Sequence, residues 1–341
     1  MLERLLAGLV LIAGCSLLGP MPALAQAQGG ADLPERHVHM VVWRGCEEAC
    51  KGFIRYFEDR DLPVRIEVTD VARDKDLLPE VQTRLIAERP DLVVTWGTTV
   101  SSALLGTRTE HGTGSALGDI PALFMIVADP VASDLVESYE ASGRDYISGV
   151  RNRVPEEVQL RLIFEYFRPD RLGVLNHPGE LNSTLNTEKL RDIAREFGFS
   201  LVEHLYTPDA RGDVPVAQIP EALAALKAKG AEAIYVGSSS YNLDHQREFV
   251  AAAAALDLPV FSAYTQMVQE GGALMAIGTS YANVGRLAAL QAAAILLDGE
   301  APGAMPIKAL NRYSIILNMA SARQLGLYPP LSLIGVAEVV Q

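Results

Sequence analysis

The sequence predicts an α/β protein with two lobes, each built around a parallel β-sheet. Apolar runs of strand length alternate with amphipathic helical stretches, and this alternation is typical of parallel sheets. The alternation restarts near residue 150, which indicates a second sheet. The chain has 341 residues, of which 49 % are hydrophobic and 21 % are charged, so it can bury two cores of ordinary domain size.

The first half alternates strands and helices from residue 37 onward. Its strands are short and rich in valine and isoleucine, which suits a sheet buried on both faces. Apolar residues in the stretch EEVQLRLIFEYF recur at helical spacing. We expect strands at 37–43, 63–70, 91–96, 122–129 and 145–150, and helices at about 47–59, at 77–89, from about 100, and at 156–167.

The second half repeats the same pattern and ends with a long alanine-rich helix. Its apolar runs are again of strand length and are separated by helical stretches. We expect strands at 171–176, 200–206, 231–237, 258–263 and 273–279, and helices at 183–197, 220–229, 243–256 and 282–300.

The first 25 residues read as an export signal. Arg4 precedes an apolar run, and Ala23-Leu24-Ala25 has the small-x-small form of a signal-peptidase site. The run is shorter than the roughly 20 residues that a membrane span needs. As an alternative, residues 12–15 resemble a bacterial lipobox, in which Cys15 would become a lipidated anchor. Either reading predicts an exported, periplasmic protein.

Cys46 and Cys50 are the cysteines that remain after removal of the signal. Two nearby thiols in an oxidising compartment favour a disulfide. On a regular helix their α-carbons would lie near the upper end of the bridgeable range, so a bridge needs a distorted first turn. Buried free thiols and a metal or redox site remain alternatives.

Loops rich in glycine and small polar residues follow strands in both halves. Ligands bind at the carboxyl ends of strands in open α/β sheets, where glycine allows close approach and Ser, Thr and Asn offer neutral hydrogen bonds. Helix capping explains any one such loop, but several of them indicate a ligand site. Aromatic rings at strand ends could stack on a flat ligand. The loops include 43–45, 96–99, 128–130, 176–183, 237–241 and 278–281.

Several functional classes find no support. The net charge of −13, without a basic cluster, argues against nucleic acid and anionic membranes as partners. The chain has neither a GxxxxGK[ST] phosphate loop nor a G-x-S-x-G elbow. His37 and His39 occupy alternate strand positions, which favours a structural or surface role over a metal pair. We therefore expect no cofactor, no metal and no enzymatic activity; an exported α/β enzyme is the less favoured reading.

Short motifs occur in a fixed order from about residue 36 to residue 330. They comprise Gly97-Thr98, 128–131 (ADPV), 147–150 (ISGV), 176–183 (NHPGELNS), 258–261 (LPVF) and the N-x-x-x-A-x-x-L-G pattern of 318–326. Together they resemble the periplasmic solute-binding proteins of bacterial ABC importers with the type I fold. The similarity is to the branch that includes tryptophan- and tyrosine-binding members.

This resemblance implies two Rossmann-like lobes joined by three crossovers, with a small-molecule ligand in the cleft between them. Lobe 1 would comprise 36–148 and 264–302, and lobe 2 would comprise 149–263 and 303–341. A monomer would deliver the ligand to an ABC permease and its ATPase. The same cleft would also suit a sensing module that reports to a membrane sensor or chemoreceptor.

By the same resemblance, Asn182 and Ser183 would hold a ligand carboxylate. Residues 238–241 and 263–264 lack the acidic side chains that often bind the ammonium of an amino acid in this branch. Unless Asp129, Glu180 or Glu47 replaces them, we expect an aromatic or planar carboxylate, an amide or a heterocycle. Arg44, Arg151 or Arg153 could hold the carboxylate. The candidate ligand-binding residues are Trp43, Arg44, Trp96, Gly97, Thr98, Thr99, Asp129, Asn176, Gly179, Glu180, Asn182, Ser183, Ser238, Ser239, Tyr241, Tyr264, Thr279 and Tyr281.

Overall fold

The computed structural model describes residues 34–341, which form two α/β lobes. The predicted signal peptide and Cys15 lie outside the described residues. None of the helices within 34–341 combines the length and the apolar character that a membrane span requires.

The sheet of lobe 1 has five parallel strands in the order β2-β1-β3-β4-β5. Its central strands are buried on both faces, as their valine and isoleucine content predicts. The strands are β1 (Arg36–Val42), β2 (Val64–Asp70), β3 (Leu92–Trp96), β4 (Ala122–Val127) and β5 (Ile147–Arg151). The helices are α1 (Glu48–Glu58), α2 (Leu78–Glu88), α3 (Thr98–Leu105) and α4 (Arg108–His111).

The sheet of lobe 2 has seven strands in the order β12-β11-β10-β9-β8-β6-β7. Strand β11 runs antiparallel to β10, and the other neighbouring strands are parallel. The strands are β6 (Arg171–Asn176), β7 (Ser200–Leu205), β8 (Ala233–Val236), β9 (Val260–Ser262), β10 (Met275–Gly278), β11 (Ser314–Asn318) and β12 (Glu338–Val340). The helices of this lobe are α5 (Glu156–Tyr166), α6 (Leu181–Phe197), α7 (Gln218–Ala228), α8 (Ser240–Asp244), α9 (Gln246–Ala254), α10 (Thr265–Gln269), α12 (Met319–Leu325) and α13 (Leu331–Ile334). Helix α11 (Tyr281–Leu297) follows β10 in the chain but contributes to the core of lobe 1.

The chain passes between the lobes after β5, between β10 and α11, and before β11. The expected placement of 264–280 in lobe 1 is wrong, because Met275 of β10 pairs in parallel with Phe261 of β9. A short connection through α10 keeps these successive strands in one sheet, as is usual for parallel neighbours. Residues 149–151 complete β5, and Lys308 bridges to Val150, so both segments belong to lobe 1 rather than lobe 2.

Helix α11 returns to lobe 1 and packs on α1 at very short range. A side chain at Gly285 would collide with the backbone carbonyl oxygen of Ala49, and one at Gly52 would collide with that of Ala282. The two glycines therefore allow the helix backbones to touch. This contact fixes α1, and with it the loop that precedes α1, against the rest of lobe 1.

Cys46 and Cys50 form a disulfide with their α-carbons 5.1 Å apart. Cys46 lies before the first residue of α1, so it is free of the regular spacing of a helix. This placement provides the departure from helical geometry that a bridge between i and i+4 requires. The bridge ties the loop after β1 to α1.

Candidate functional site

A cavity of about 780 Å³ lies between the lobes, at the carboxyl ends of the parallel strands. Loops from both sheets and the start of α11 form its walls. Thirteen of the eighteen predicted ligand-binding residues line it: Trp43, Arg44, Trp96, Gly97, Thr98, Thr99, Gly179, Glu180, Asn182, Ser238, Tyr241, Tyr264 and Tyr281.

Aromatic rings from both lobes face this cleft. The indole of Trp96 is 3 % exposed, and its Nε1 has no hydrogen-bond partner within residues 34–341. The guanidinium of Arg44 lies 5.2 Å from the centroid of the Trp96 ring. Burial raises the pKa of both Tyr264 and Tyr281, so these hydroxyls stay protonated and available as donors. The cleft thus combines flat apolar surfaces with a few buried polar groups, as small-molecule sites usually do.

Arg153 is the most deeply buried cation on the lobe 2 side of the cleft. Its side chain is 8 % exposed, and Nε lies 3.1 Å from Glu156 Oε1. Neither Nε nor Nη2 makes a hydrogen bond of good geometry to any described residue. Burial acts to lower the pKa of Arg153, but the carboxylate of Glu156 outweighs it and the pKa is raised. A charged guanidinium with unsatisfied N–H groups is therefore buried in the wall of the cleft.

The carboxylate of Glu156 contacts Asn186 and Lys189 as well as Arg153, so it cannot pair with every N–H group of the Arg153 guanidinium. Its Oε1 also accepts a hydrogen bond of 2.9 Å from Asn186 Nδ2, and its Oε2 lies 3.3 Å from Lys189 Nζ. The pair anchors the Arg153 stem, while the Nη2 group remains without a partner among residues 34–341. A planar carboxylate is the ligand group that matches such a fork.

Glu180 supplies a buried carboxyl group to the lobe 2 wall of the cleft. It is the residue before α6, and its Oε1 accepts a hydrogen bond of 2.8 Å from the backbone N–H of Tyr241. Glu180 as a whole residue is partly exposed, yet its Oε2 is inaccessible and has no partner in the described chain. Burial raises the pKa of Glu180 to about 7, against the opposing effect of hydrogen bonds from Ser239 and Tyr241.

Contacts between the lobes cross the mouth of the cleft. Asp244 at the end of α8 accepts two arginines of lobe 1, with Arg73 Nε at 2.7 Å and Arg44 Nη1 at 3.2 Å. Arg44 also donates to Glu47 Oε1 at 2.9 Å within lobe 1. Burial alone would lower the pKa of Arg44, but the carboxylates of Glu47 and Asp244 together have the larger effect and the pKa is raised. Arg44 therefore remains charged. The structure therefore holds the lobes together by ion pairs on one side of the cleft.

Two residues predicted to hold the ligand instead support the loop behind it. Asn176 Nδ2 donates to Thr187 Oγ1 at 2.6 Å, and Ser183 Oγ donates to Asn176 Oδ1 at 3.0 Å. All three side chains are buried within lobe 2. Asn176 and Ser183 do not line the cleft, because their polar atoms join the end of β6 to the first turns of α6.

Three more predicted residues also lie outside the cleft wall. Ser239 caps α8 by accepting from Asn242 N at 3.2 Å, and Thr279 Oγ1 donates to the carbonyl oxygen of Asn152 at 2.7 Å. Asp129 accepts from the hydroxyl of Tyr139 at 3.2 Å and lies beside a separate cavity of about 20 Å³. Each of these side chains is occupied by a local hydrogen bond.

Of the three arginines proposed to hold a carboxylate, Arg151 does not line the cleft, and its guanidinium lies 4.3 Å from the centroid of the Tyr139 ring. Two segments of the cleft wall were not predicted from the sequence. Each follows an edge strand of its sheet: residues 72–76 follow β2 in lobe 1, and residues 211–214 follow β7 in lobe 2. Applying the rule of carboxyl ends to every strand would have found both segments. Asp244 carried no such signal, because it lies inside a predicted helix.

Comparisons with known proteins agree with this architecture. A family model described as ABC transporter substrate binding protein matches residues 40–340. A tyrosine-binding protein of Clostridioides difficile is 23 % identical over 277 residues, covering 80 % of this chain and 74 % of that protein.

Solved structures show the same fold. A conserved domain protein from Vibrio cholerae O1 biovar El Tor superimposes with a TM-score of 0.78 at 23 % identity, covering 90 % of this chain and all of that one. A Streptococcus pneumoniae ABC domain in complex with L-Trp gives a TM-score of 0.74 at 19 % identity, covering 89 % of this chain and all of the other. These folds are those of two-lobed periplasmic binding proteins of type I. Since the family model spans nearly the whole described chain, the protein belongs to the family of ABC transporter substrate binding proteins.

Proposed function

We propose that this protein captures a small organic ligand between its lobes in the periplasm and delivers it to an ABC permease. The ligand class is an aromatic or planar carboxylate, an amide or an amino acid. Support comes from the cleft itself, which has aromatic rings from both lobes and a buried guanidinium with free N–H groups. The tyrosine-binding relative and the structure with bound L-Trp agree with a planar ligand.

The free N–H groups of Arg153 carry this proposal. A buried donor without a partner is costly, so it is expected to be satisfied by the ligand. A ligand carboxylate binds Arg153, while the ring lies against Trp43 and Trp96. The indole Nε1 of Trp96 donates to a polar atom of the ligand, since it too lacks a partner in the described residues. Closure adds contacts from both lobes at once, which favours the liganded closed form.

Calorimetry on the purified protein tests the ligand class. The panel contains tryptophan, tyrosine, the corresponding aromatic acids without an ammonium group, and their amides. We expect at least one carboxylate to bind, and Arg153→Lys to weaken it at least tenfold because a bidentate fork is lost. Arg151→Lys is the matched control, since Arg151 lies on the Tyr139 ring outside the cleft. Equal affinity in Arg153→Lys and wild type would disprove the role of Arg153.

Glu180 distinguishes amino acids from the other ligands. If the ligand carries an ammonium, Glu180→Gln removes its counter-charge and weakens binding by a large factor. If the ligand presents a neutral donor, Gln can still accept its hydrogen bond and affinity changes little.

Delivery is tested with the cognate permease and ATPase reconstituted in vesicles. We expect the liganded protein to stimulate ATP hydrolysis and uptake of the labelled ligand. Ligand binding without either response would favour a sensing role over transport.

A further inference from the structure

A second cluster of polar side chains lies at the opposite end of lobe 1 from the cleft. His37 and His39 occupy alternate positions on β1 and so share one face of the sheet. Glu67 of the edge strand β2 pairs in register with His39 and lies on that same face. One ligand-capable atom from each of His37, His39 and Glu67 lies within 4.8 Å of the others.

The two imidazole rings are incompletely satisfied. His39 is fully buried, and neither its Nδ1 nor Nε2 of His37 has a hydrogen-bond partner in the described chain. His37 Nε2 lies 3.5 Å from Glu67 Oε2, and His39 Nδ1 lies 3.4 Å from Glu88 Oε2 at the end of α2. Buried polar atoms in native proteins are nearly always paired, so two such nitrogens beside carboxylates call for a partner.

We propose that His37, His39 and Glu67 form a binding site for Zn²⁺ or a chemically similar divalent cation, with Glu88 as an additional carboxylate. Imidazole nitrogens combined with carboxylate oxygens are a preferred ligand set for Zn²⁺. Ligands about 2.1 Å from a tetrahedral Zn²⁺ are about 3.4 Å from each other. The distances of 3.5 Å and 3.4 Å between the nitrogens and carboxylate oxygens are close to that spacing.

The surroundings of His39 prepare its Nδ1 as a ligand. Its Nε2 lies 2.8 Å from Thr69 Oγ1, which also accepts from Arg84 Nη2 at 2.7 Å. With Nε2–H donating to that oxygen, Nδ1 carries the lone pair that a metal needs. A hydrogen bond of this kind to the second ring nitrogen also fixes the orientation of a metal-binding histidine.

Two arginines compete with the cation for this cluster. Arg65 Nη1 lies 3.8 Å from Glu67 Oε2, and both side chains are about half exposed. A contact of this length and exposure contributes little, so a cation can displace it. Arg84 is held by Thr69 rather than by a carboxylate of the cluster. His37 is six residues from Trp43, about 20 Å along an extended strand, so the metal site is separate from the ligand cleft.

Calorimetric titration with ZnCl₂ tests the proposal on protein without a histidine tag and after treatment with a chelator. We expect one Zn²⁺ per chain in the wild type and no heat from MgCl₂. His37→Gln and Glu67→Gln should each weaken Zn²⁺ binding at least tenfold. Glu67 is half exposed, so its variant should fold even if substitution at His37 disturbs β1.

His204→Ala is the matched control, because His204 is another strand histidine and lies near Lys229 instead of a second histidine. Its Zn²⁺ affinity should equal that of the wild type. Absence of stoichiometric Zn²⁺ uptake by the wild type would overturn the proposal. Equal Zn²⁺ affinity in Glu67→Gln, His37→Gln and the wild type would also overturn it.

Discussion

Asp244 joins the two lobes, so its removal should open the cleft in the absence of ligand. In Asp244→Ala, Arg73 loses its 2.7 Å partner and Arg44 loses one of its two carboxylates. Both lost contacts connect lobe 1 with lobe 2. The hydrophobic cores of the lobes do not contain Asp244, so each lobe should stay folded.

The size of the effect follows from the burial of the two arginines. The side chain of Arg44 is 3 % exposed, so its ion pair with Asp244 is largely desolvated and contributes about 1.5–3 kcal/mol, the range for contacts between charged groups. The side chain of Arg73 is 54 % exposed, and its pair contributes about 0.2–1 kcal/mol. Taken at the lower ends of these ranges, the two pairs together favour the closed arrangement by about 2 kcal/mol. The substitution should then shift the equilibrium toward the open form by about 30-fold.

Small-angle X-ray scattering without ligand measures this opening as an increase in the radius of gyration. Saturating ligand should reverse the increase, with a dissociation constant raised by up to about 30-fold because fewer molecules are in the binding form. Asp213→Ala is the control, since Asp213 also lines the cleft but pairs only with the exposed Arg211 at 3.8 Å. Identical scattering of Asp244→Ala and wild type would refute the role of these ion pairs.

Three further predictions concern stability. Burial raises the pKa of Glu180 from 4.5 to about 7. The wild type therefore has its full stability below pH 4.5 and loses stability as the pH rises through about 7, where the buried carboxyl ionises. Urea titrations should show Glu180→Gln more stable than the wild type by up to about 3 kcal/mol at pH 8 and equal to it at pH 4. Gly285→Ala should destabilise lobe 1 by more than about 2 kcal/mol in thermal unfolding, because the added methyl group collides with α1. Gly335→Ala is the control and should be neutral, because Gly335 has a right-handed helical backbone conformation and no close neighbour. Replacing Cys46 and Cys50 with serine should cost about 2 kcal/mol in denaturant titration, the value expected for the short loop they close, and an unchanged midpoint would contradict this.

Residues at the ends of parallel strands could be predicted from the sequence. Trp43 and Trp96 each follow a buried apolar run, and parallel strands in one sheet bring their carboxyl ends to the same edge. Both residues therefore line the cleft. This inference needs only the strand pattern and no knowledge of how the lobes meet.

Side-chain direction and contacts between lobes could not be predicted in this way. Asn176 and Ser183 were expected at the ligand, but partners inside lobe 2 satisfy them, and such partners cannot be read from residue type. Arg73 and Asp244 are 171 positions apart and belong to different lobes, so their contact depends on lobe orientation. The antiparallel pairing of β11 with β10 likewise depends on the last crossover between the lobes.

The question of an amino acid ligand now depends on Glu180. Of the three carboxylates predicted from the sequence as partners for an ammonium, Asp129 bonds to Tyr139 outside the cleft, and Glu47 pairs with Arg44. Glu180 alone among the three lines the cleft in residues 34–341.

With a pKa of about 7, the carboxyl of Glu180 is about half protonated at pH 7 in the free protein. A ligand ammonium would hold it ionised, so binding should release about half a proton per complex at pH 7 and almost none at pH 9. A ligand without an ammonium leaves Glu180 protonated or increases its protonation, and releases none. Titrations in phosphate and in Tris at pH 7 distinguish these outcomes, because released protons make the observed heat depend on the buffer. Tight binding of tryptophan or tyrosine with identical heats in both buffers would mean that another group receives the ammonium.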